Sequence, residues 1–167
     1  MARRLMLKRS FAPVVDPATR VLVLGSLPGD RSLAERRYYA HPQNQFWRLI
    51  GSVFDRDLAA LDYSDRLALL LAAGVGLWDV VATAHRPGST DAAIRDLATN
   101  DLIGLTRRLP ALGAIAFNGG KSLAIGTRAL AGAVPHVARV ALPSSSPLHT
   151  VGLAAKLPAW LALRHYL

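Results

Sequence analysis

Four short segments of the chain read as strands, the first of them opening on an apolar run fit for burial, with helical segments between them. Arg20 to Gly25 (RVLVLG) is the first, short and rich in β-branched residues. Gly76 to Val80 (GLWDV), Ala114 to Phe117 (AIAF) and Val137 to Leu142 (VARVAL) are the others. Asn44 to Phe54 sets Phe46, Trp47 and Ile50 on one face and predicts a helix. Ser64 to Ala73 predicts a second, carrying the run Leu67 to Leu71, with Ser64 as its cap and Gly74 as its stop. Further helices are expected over Asn100 to Leu109, capped by Asn100, over Lys121 to Leu130, and over Leu153 to Tyr166. Strands alternating with helices predict an α/β fold with a parallel sheet covered on both faces.

The polar segments fall where such a sheet needs them. Gly25 and Pro28-Gly29 turn the chain after the first strand and lead to Tyr38, Tyr39 and His41-Pro42-Gln43-Asn44. Ala82 to Ala92 reads as a second polar loop, holding His85, Arg86, Gly88, Ser89 and Asp91. Pro143 to Thr150 (PSSSPLHT) is a third, after the last strand. Parallel strands present their carboxyl ends on one edge, where open α/β sheets keep their sites. Tyr39, Asn44, Asp79, His85 and the loop from Ser144 to His149 are therefore expected around one cleft.

Composition narrows the picture without deciding it. With 167 residues, 51% of them hydrophobic, the chain is long enough for one domain that buries roughly two-thirds of its unfolded surface. The basic start, with Arg3, Arg4, Lys8 and Arg9, reads as an extended arm over residues 1–19. It lacks the long apolar centre of a signal peptide, and no apolar run reaches the ~20 residues of a membrane span. A cytoplasmic monomer that does not engage membranes is the expectation. The net charge of +9 favours a polyanionic partner, nucleic acid first. Without cysteine there are no disulfides or thiolate metal sites, and no metal is expected.

Several motifs carry less than they suggest. Gly119-Gly120-Lys121-Ser122 follows a strand, but Ile115 stands where a phosphate loop needs its first glycine. The five histidines show no paired metal-binding spacing, and no nucleophile elbow G-x-S-x-G is present. Trp47, Trp78 and Trp160 sit at apolar positions and read as core. Tyr38 and Tyr39 differ: one is placed to bury inward and the other to stack on a planar ligand. Asp79 ends a buried strand, as a structural acceptor or as a ligand reader.

GSLPG at Gly25 to Gly29, YYAHPQNQFW at Tyr38 to Trp47, GLWDV, RPGSTD at Arg86 to Asp91, FNG at Phe117 to Gly119 and LPSSSP at Leu142 to Pro147 come in a telling order. Together they resemble the uracil-DNA glycosylase superfamily, and most of all its hypoxanthine-DNA glycosylase branch. The resemblance implies a three-layer α/β/α sandwich with a four-stranded, mainly parallel sheet. It also implies a monofunctional DNA glycosylase that needs no cofactor. Where many branches keep a water-activating Asp or Asn, this chain has Leu27, and the resemblance assigns that catalytic part to Asn44 instead. Tyr39 falls where the superfamily stacks a ring on the extruded base, and Asp79 where uracil-specific members carry the Asn that reads the base edge. Gly25, Ser26, Leu27, Pro28, Asn118, Ser144, Ser145 and Ser146 complete the implied substrate-binding set. Leu148 matches the residue that wedges into the base stack. Ser144 stands in place of a catalytic His, which leaves stabilisation of the departing base unassigned.

The chemistry is coherent with these residue types. A base inside a duplex must be rotated into a pocket before its glycosidic bond can be reached. An Asn amide orients water but is a poor proton acceptor, so Asn44 is expected to position rather than deprotonate. An ionised Asp79 only accepts hydrogen bonds, which suits the N–H of hypoxanthine and disfavours uracil, whose N–H is flanked by two carbonyls. A non-catalytic nucleic-acid-binding domain that kept the cleft is the competing reading, and a small phosphohydrolase is a more distant one.

Overall fold

The computed structural model describes residues 7–147 and 151–167. At its centre lies a four-stranded parallel sheet built from β2 (Val21–Gly25), β3 (Val75–Asp79), β6 (Ala114–Asn118) and β7 (Ala138–Leu142), in the order β3-β2-β6-β7. Alternate residues of β2 face opposite layers. Val21 and Val23 join the cluster of Phe46, Leu49, Ile50, Leu70 and Trp160. Leu22 and Leu24 join that of Leu105, Ile115, Phe117 and Leu130. All four of these β2 side chains are fully buried, and each contributes roughly 1.5–3 kcal/mol relative to exposure. The expected sandwich is therefore present, with α2 (Phe46–Val53), α3 (Tyr63–Ala72) and α6 (Leu153–Leu161) on one face. The other face is covered by α4 (Leu102–Arg107) and α5 (Gly120–Leu130). The three tryptophans are buried, as their apolar positions predicted.

Several local expectations are corrected. A second, antiparallel sheet joins β1 (Leu7–Arg9), β4 (Val81–His85) and β5 (Arg95–Thr99), with β4 in the middle. The segment from Ala82 onward is thus a strand before it is a loop, and part of the basic arm is its partner. A short helix, α1 (Asp30–Glu35), interrupts the connector after β2. Helix α2 begins at Phe46 rather than Asn44, because the Asn44 Oδ1 accepts the Phe46 amide at 2.9 Å from outside the helix. Asp62, not Ser64, occupies the cap position of α3. Asp101 caps α4 by accepting the Gly104 amide. Asn100 serves elsewhere. Its side-chain amide donates to the carbonyls of Asp79 and Val81 and to Ser10, stitching the small sheet to the large one. The last helix passes into a 3-10 turn over Ala162–Tyr166.

The glycine-rich turn after β6 is structural. Gly119 has φ of +98°, a conformation that excludes most side chains, and Ser122 Oγ donates to the Leu24 carbonyl at 2.6 Å. That bond ties the start of α5 to the end of β2, next to the cleft.

Candidate active site

The carboxyl ends of β2, β3, β6 and β7 open into a cavity of about 460 Å³. Strand β2 and the turn after it deliver Gly25, Ser26, Leu27 and Pro28 to its wall, and β3 delivers Asp79. Asn118 comes from the end of β6, Ser144, Ser145 and Ser146 from the loop after β7, and Tyr39 and Asn44 from the segment before α2. Of the residues expected around the cleft, His85 is not there, being drawn into β4 opposite Leu7. The other expected site residues among the described ones all line this one space. Leu148, the expected wedge, lies outside the described residues, as does His149.

The Tyr38–Asn44 segment is held from several sides. Tyr38 is buried, donates its hydroxyl to the Ala12 carbonyl and meets Phe11 edge-on. Tyr39 takes a left-handed backbone conformation, φ +53°, and its ring lies 6.3 Å from that of Tyr38 at a tilt of 37°. The Tyr39 ring stacks on Phe46 with centroids 3.9 Å apart, so the platform expected for a base is backed by a fully buried aromatic residue. Trp47 Nε1 donates to the Tyr39 carbonyl, and the Gln45 amide donates to the Ser145 carbonyl. Asn44 is fixed through its backbone amide, which donates to the His41 carbonyl at 2.9 Å. Its Oδ1 also accepts from Phe46.

Asn118 and Ser145 brace one another. The Asn118 Nδ2 donates to Ser145 Oγ at 2.9 Å and to Tyr39 Oη at 3.3 Å, while its Oδ1 accepts the Ser145 amide. The amide of Asn118 therefore shapes the wall and aligns Tyr39 across it. Ser144 Oγ accepts the Ser146 amide, fixing the turn after β7.

Asp79 is the electrostatic centre of the cavity. It is 3% exposed, and its Oδ2 is buried with no hydrogen-bond partner. Burial pushes its carboxyl up to about 7; the charge of Asp91 adds to this and that of Arg86 opposes it. Asp91 lines the same cavity from the 3-10 turn Asp91–Ala93, with its Oδ1 accepting from Ser26 Oγ at 2.6 Å. Arg86 is almost completely buried and donates to the carbonyls of Leu27, Pro28 and Gly88. Burial holds its guanidinium below the usual range and raises the phenols of Tyr38 and Tyr39, which the Asp79 charge raises further.

Asp91 lines the cavity and Arg86 holds its wall, although neither was among the expected site residues. The RPGSTD segment that contains both was the available signal, but nothing local shows a buried guanidinium holding a turn 58 residues away. Leu27 is buried and its carbonyl is held by Arg86, so it lines the wall without a side-chain group that could hold a water.

The floor of the cavity leaves no room beside β2. A Cβ built on Gly25 would stand 2.5 Å from Asp79 Oδ1 and 3.0 Å from Tyr39 Oη. Gly25→Ala is therefore expected to cost about 1–3 kcal/mol through overpacking. Base release should fall at least about tenfold, because Asp79 and Tyr39 are both displaced. Thermal melts together with single-turnover rates check this; an unchanged rate would mean that neither side chain needs its present place.

Comparison with known proteins decides the family. Residues 12–164 match the Uracil DNA glycosylase superfamily. This chain belongs to that superfamily. It is 44% identical over 117 residues to a protein of Methanosarcina barkeri named hypoxanthine DNA glycosylase, covering 70% of this chain and 74% of that one. A protein of the same name from Methanosarcina acetivorans is 43% identical over the same coverage. A solution NMR structure from Methanosarcina acetivorans, described as a provisional uracil DNA glycosylase, superposes with a TM-score of 0.85 at 38% identity. The match covers 96% of this chain and 99% of that one. The glycosylase is thus an enzyme of DNA base removal, and the four-stranded parallel sheet between helices is the fold it shares with that structure. No helix among the described residues is long and apolar enough to cross a membrane.

Proposed function

We propose that this glycosylase acts on deaminated bases, hypoxanthine foremost, rotating the base out of DNA and hydrolysing its N-glycosidic bond to leave an abasic site. The observation that carries this reading is the convergence of Asn44, Tyr39 and Asp79 on one cavity. The names of the two Methanosarcina relatives support the choice of hypoxanthine.

In this reading the extruded base lies against the Tyr39 ring, which Phe46 backs, with its hydrogen-bonding edge towards Asp79. Leu148 fills the gap that the base leaves in the stack. The sugar passes through an oxocarbenium-like state, for which an oriented water suffices as the attacking group. Asn44 supplies that orientation through whatever its amide has left after its Oδ1 accepts from Phe46. The net charge of +9 provides the attraction to the phosphates, which should make binding steeply salt-dependent.

The test is a gel assay for abasic sites in duplexes carrying a single inosine, uracil or xanthine. Strand cleavage at inosine after alkali, exceeding that at the other two, is the expected outcome. Binding to each duplex without base release would instead make the protein a non-catalytic DNA-binding relative of its family.

A further inference from the structure

Breaking an N-glycosidic bond leaves an electron pair on the departing base, and the position that could have carried a His to steady it is Ser144. The cavity offers another group. Asp79 brings a carboxyl oxygen that is buried and unpartnered, at the position facing the base edge in the reading above. A second carboxyl, Asp91, lines the same cavity and is clamped by the Ser26 hydroxyl at 2.6 Å. A charge on Asp91 opposes a second charge on Asp79 in this largely enclosed space.

Resting on the base-removal reading, we propose that Asp79 and Asp91 form a carboxyl pair in which Asp79, as the neutral acid, donates a hydrogen bond to the carbonyl oxygen of the departing base, and Asp91 is the positioning residue that keeps that proton on Asp79. The C1′–N bond breaks with its electrons going to the base, which leaves as an anion whose charge is spread onto the carbonyl that Asp79 faces. The water oriented by Asn44 bonds through its oxygen to C1′ and yields a proton to solvent, while the base anion takes one from solvent. A donor aimed at charge that develops only in the transition state lowers the barrier rather than merely tightening binding.

Two charged groups act on Asp79, and two phenols feel its charge. Asp91 favours its acid form. Arg86 opposes this, but spends N–H groups on the carbonyls of Leu27, Pro28 and Gly88. Tyr38 and Tyr39 stay neutral phenols, pushed up by burial and by Asp79 itself. Arg31 and His41 also line the cavity.

The test is the pH profile of single-turnover base release from inosine-containing duplex. It is joined by a carbon NMR titration of the Asp79 carboxyl in the free protein. The wild-type rate is expected to fall on the order of tenfold between about pH 7 and about pH 8.5 as the acid form is lost. Asp91→Asn should move both the NMR midpoint and the alkaline limb to lower pH, whereas Asp91→Glu, which keeps the charge, should hold them near the wild-type position. Asp79→Asn, a donor that does not ionise, should give a flat limb. A flat wild-type limb, or NMR and rate midpoints that Asp91→Asn leaves unmoved, would overturn the pair. Absence of base release at every pH would overturn the function reading instead, and the NMR arm would still decide whether the pair exists.

Discussion

Asn44→Ala is expected to slow release of hypoxanthine on the order of a hundredfold while leaving the affinity for inosine-containing duplex within about twofold of wild type. Losing the group that aligns the attacking water costs the reaction its positioning, and a displacement of about 1 Å can cost that much. No phosphate contact is assigned to this side chain, so binding should persist. The structure adds a second consequence. Asn44 Oδ1 accepts the Phe46 amide from just before the α2 N-cap, so the alanine variant also loses a hydrogen bond worth about 0.5–1.5 kcal/mol and should melt earlier. Asn44→Asp separates the two effects, because a carboxylate can still accept from Phe46. If Asp restores the melting temperature without restoring the rate, the amide itself orients the water. If activity follows the folded fraction in both variants, Asn44 only anchors the start of α2 and the catalytic assignment fails. Rapid-quench rates, filter binding and thermal melts on the three proteins decide.

The second large effect is on stability. Asp79→Asn is expected to raise the stability of the fold at about pH 8 by as much as about 4 kcal/mol, or about 10 °C in melting temperature. The sign follows from the direction of the shift. In the folded state the carboxyl holds its proton up to about pH 7, and its ordinary value is 3.8. Below pH 3.8 both folded and unfolded chains carry the proton, and nothing is lost. Between the two values the unfolded chain has released a proton that the folded one retains, so stability declines as pH rises. Above about pH 7 the whole penalty is present. An asparagine never ionises, so the gap between the two proteins should widen from about pH 4 to about pH 8. Calorimetric melts across that range check it, and a gap that does not widen would show that the site tolerates the charge. The same variant should gain relative activity on uracil at about pH 8, where the wild-type carboxylate meets a carbonyl with no donor to offer.

Much of the large sheet was legible because β2, β3 and β6 are buried on both faces and read as largely apolar runs. Val21 to Leu24 and Ala114 to Phe117 could be little else. The small sheet was not legible for the opposite reason. Every residue of β5, from Arg95 to Thr99, is exposed, so no alternation marks it, and β4 mixes buried Val81 and Ala84 with half-buried Thr83 and His85. Helix α1 escaped because its six residues bury only Ser32. At the site, Tyr39, Asn44 and Asp79 were readable from their place after strands and from the motif order. That Asn118 braces Ser145, or that Asp91 bears on Asp79, depends on which loop ends meet across the sheet edge. Such meetings join residues far apart in sequence, and local pattern carries no record of them.

The small antiparallel sheet links the amino end of the chain to the cavity as a chain of supports. Strand β1 pairs with β4, and β4 hands the chain to Arg86, which grips the carbonyls of Leu27 and Pro28. Lys8 closes the circuit by bonding Asp30 and the Gly88 carbonyl. A protein trimmed to begin at Phe11 would keep every residue that lines the cavity and would lose the buttress under one of its walls. The basic arm is therefore masonry as well as charge, and a fusion or deletion at that end reaches the wall of the cavity.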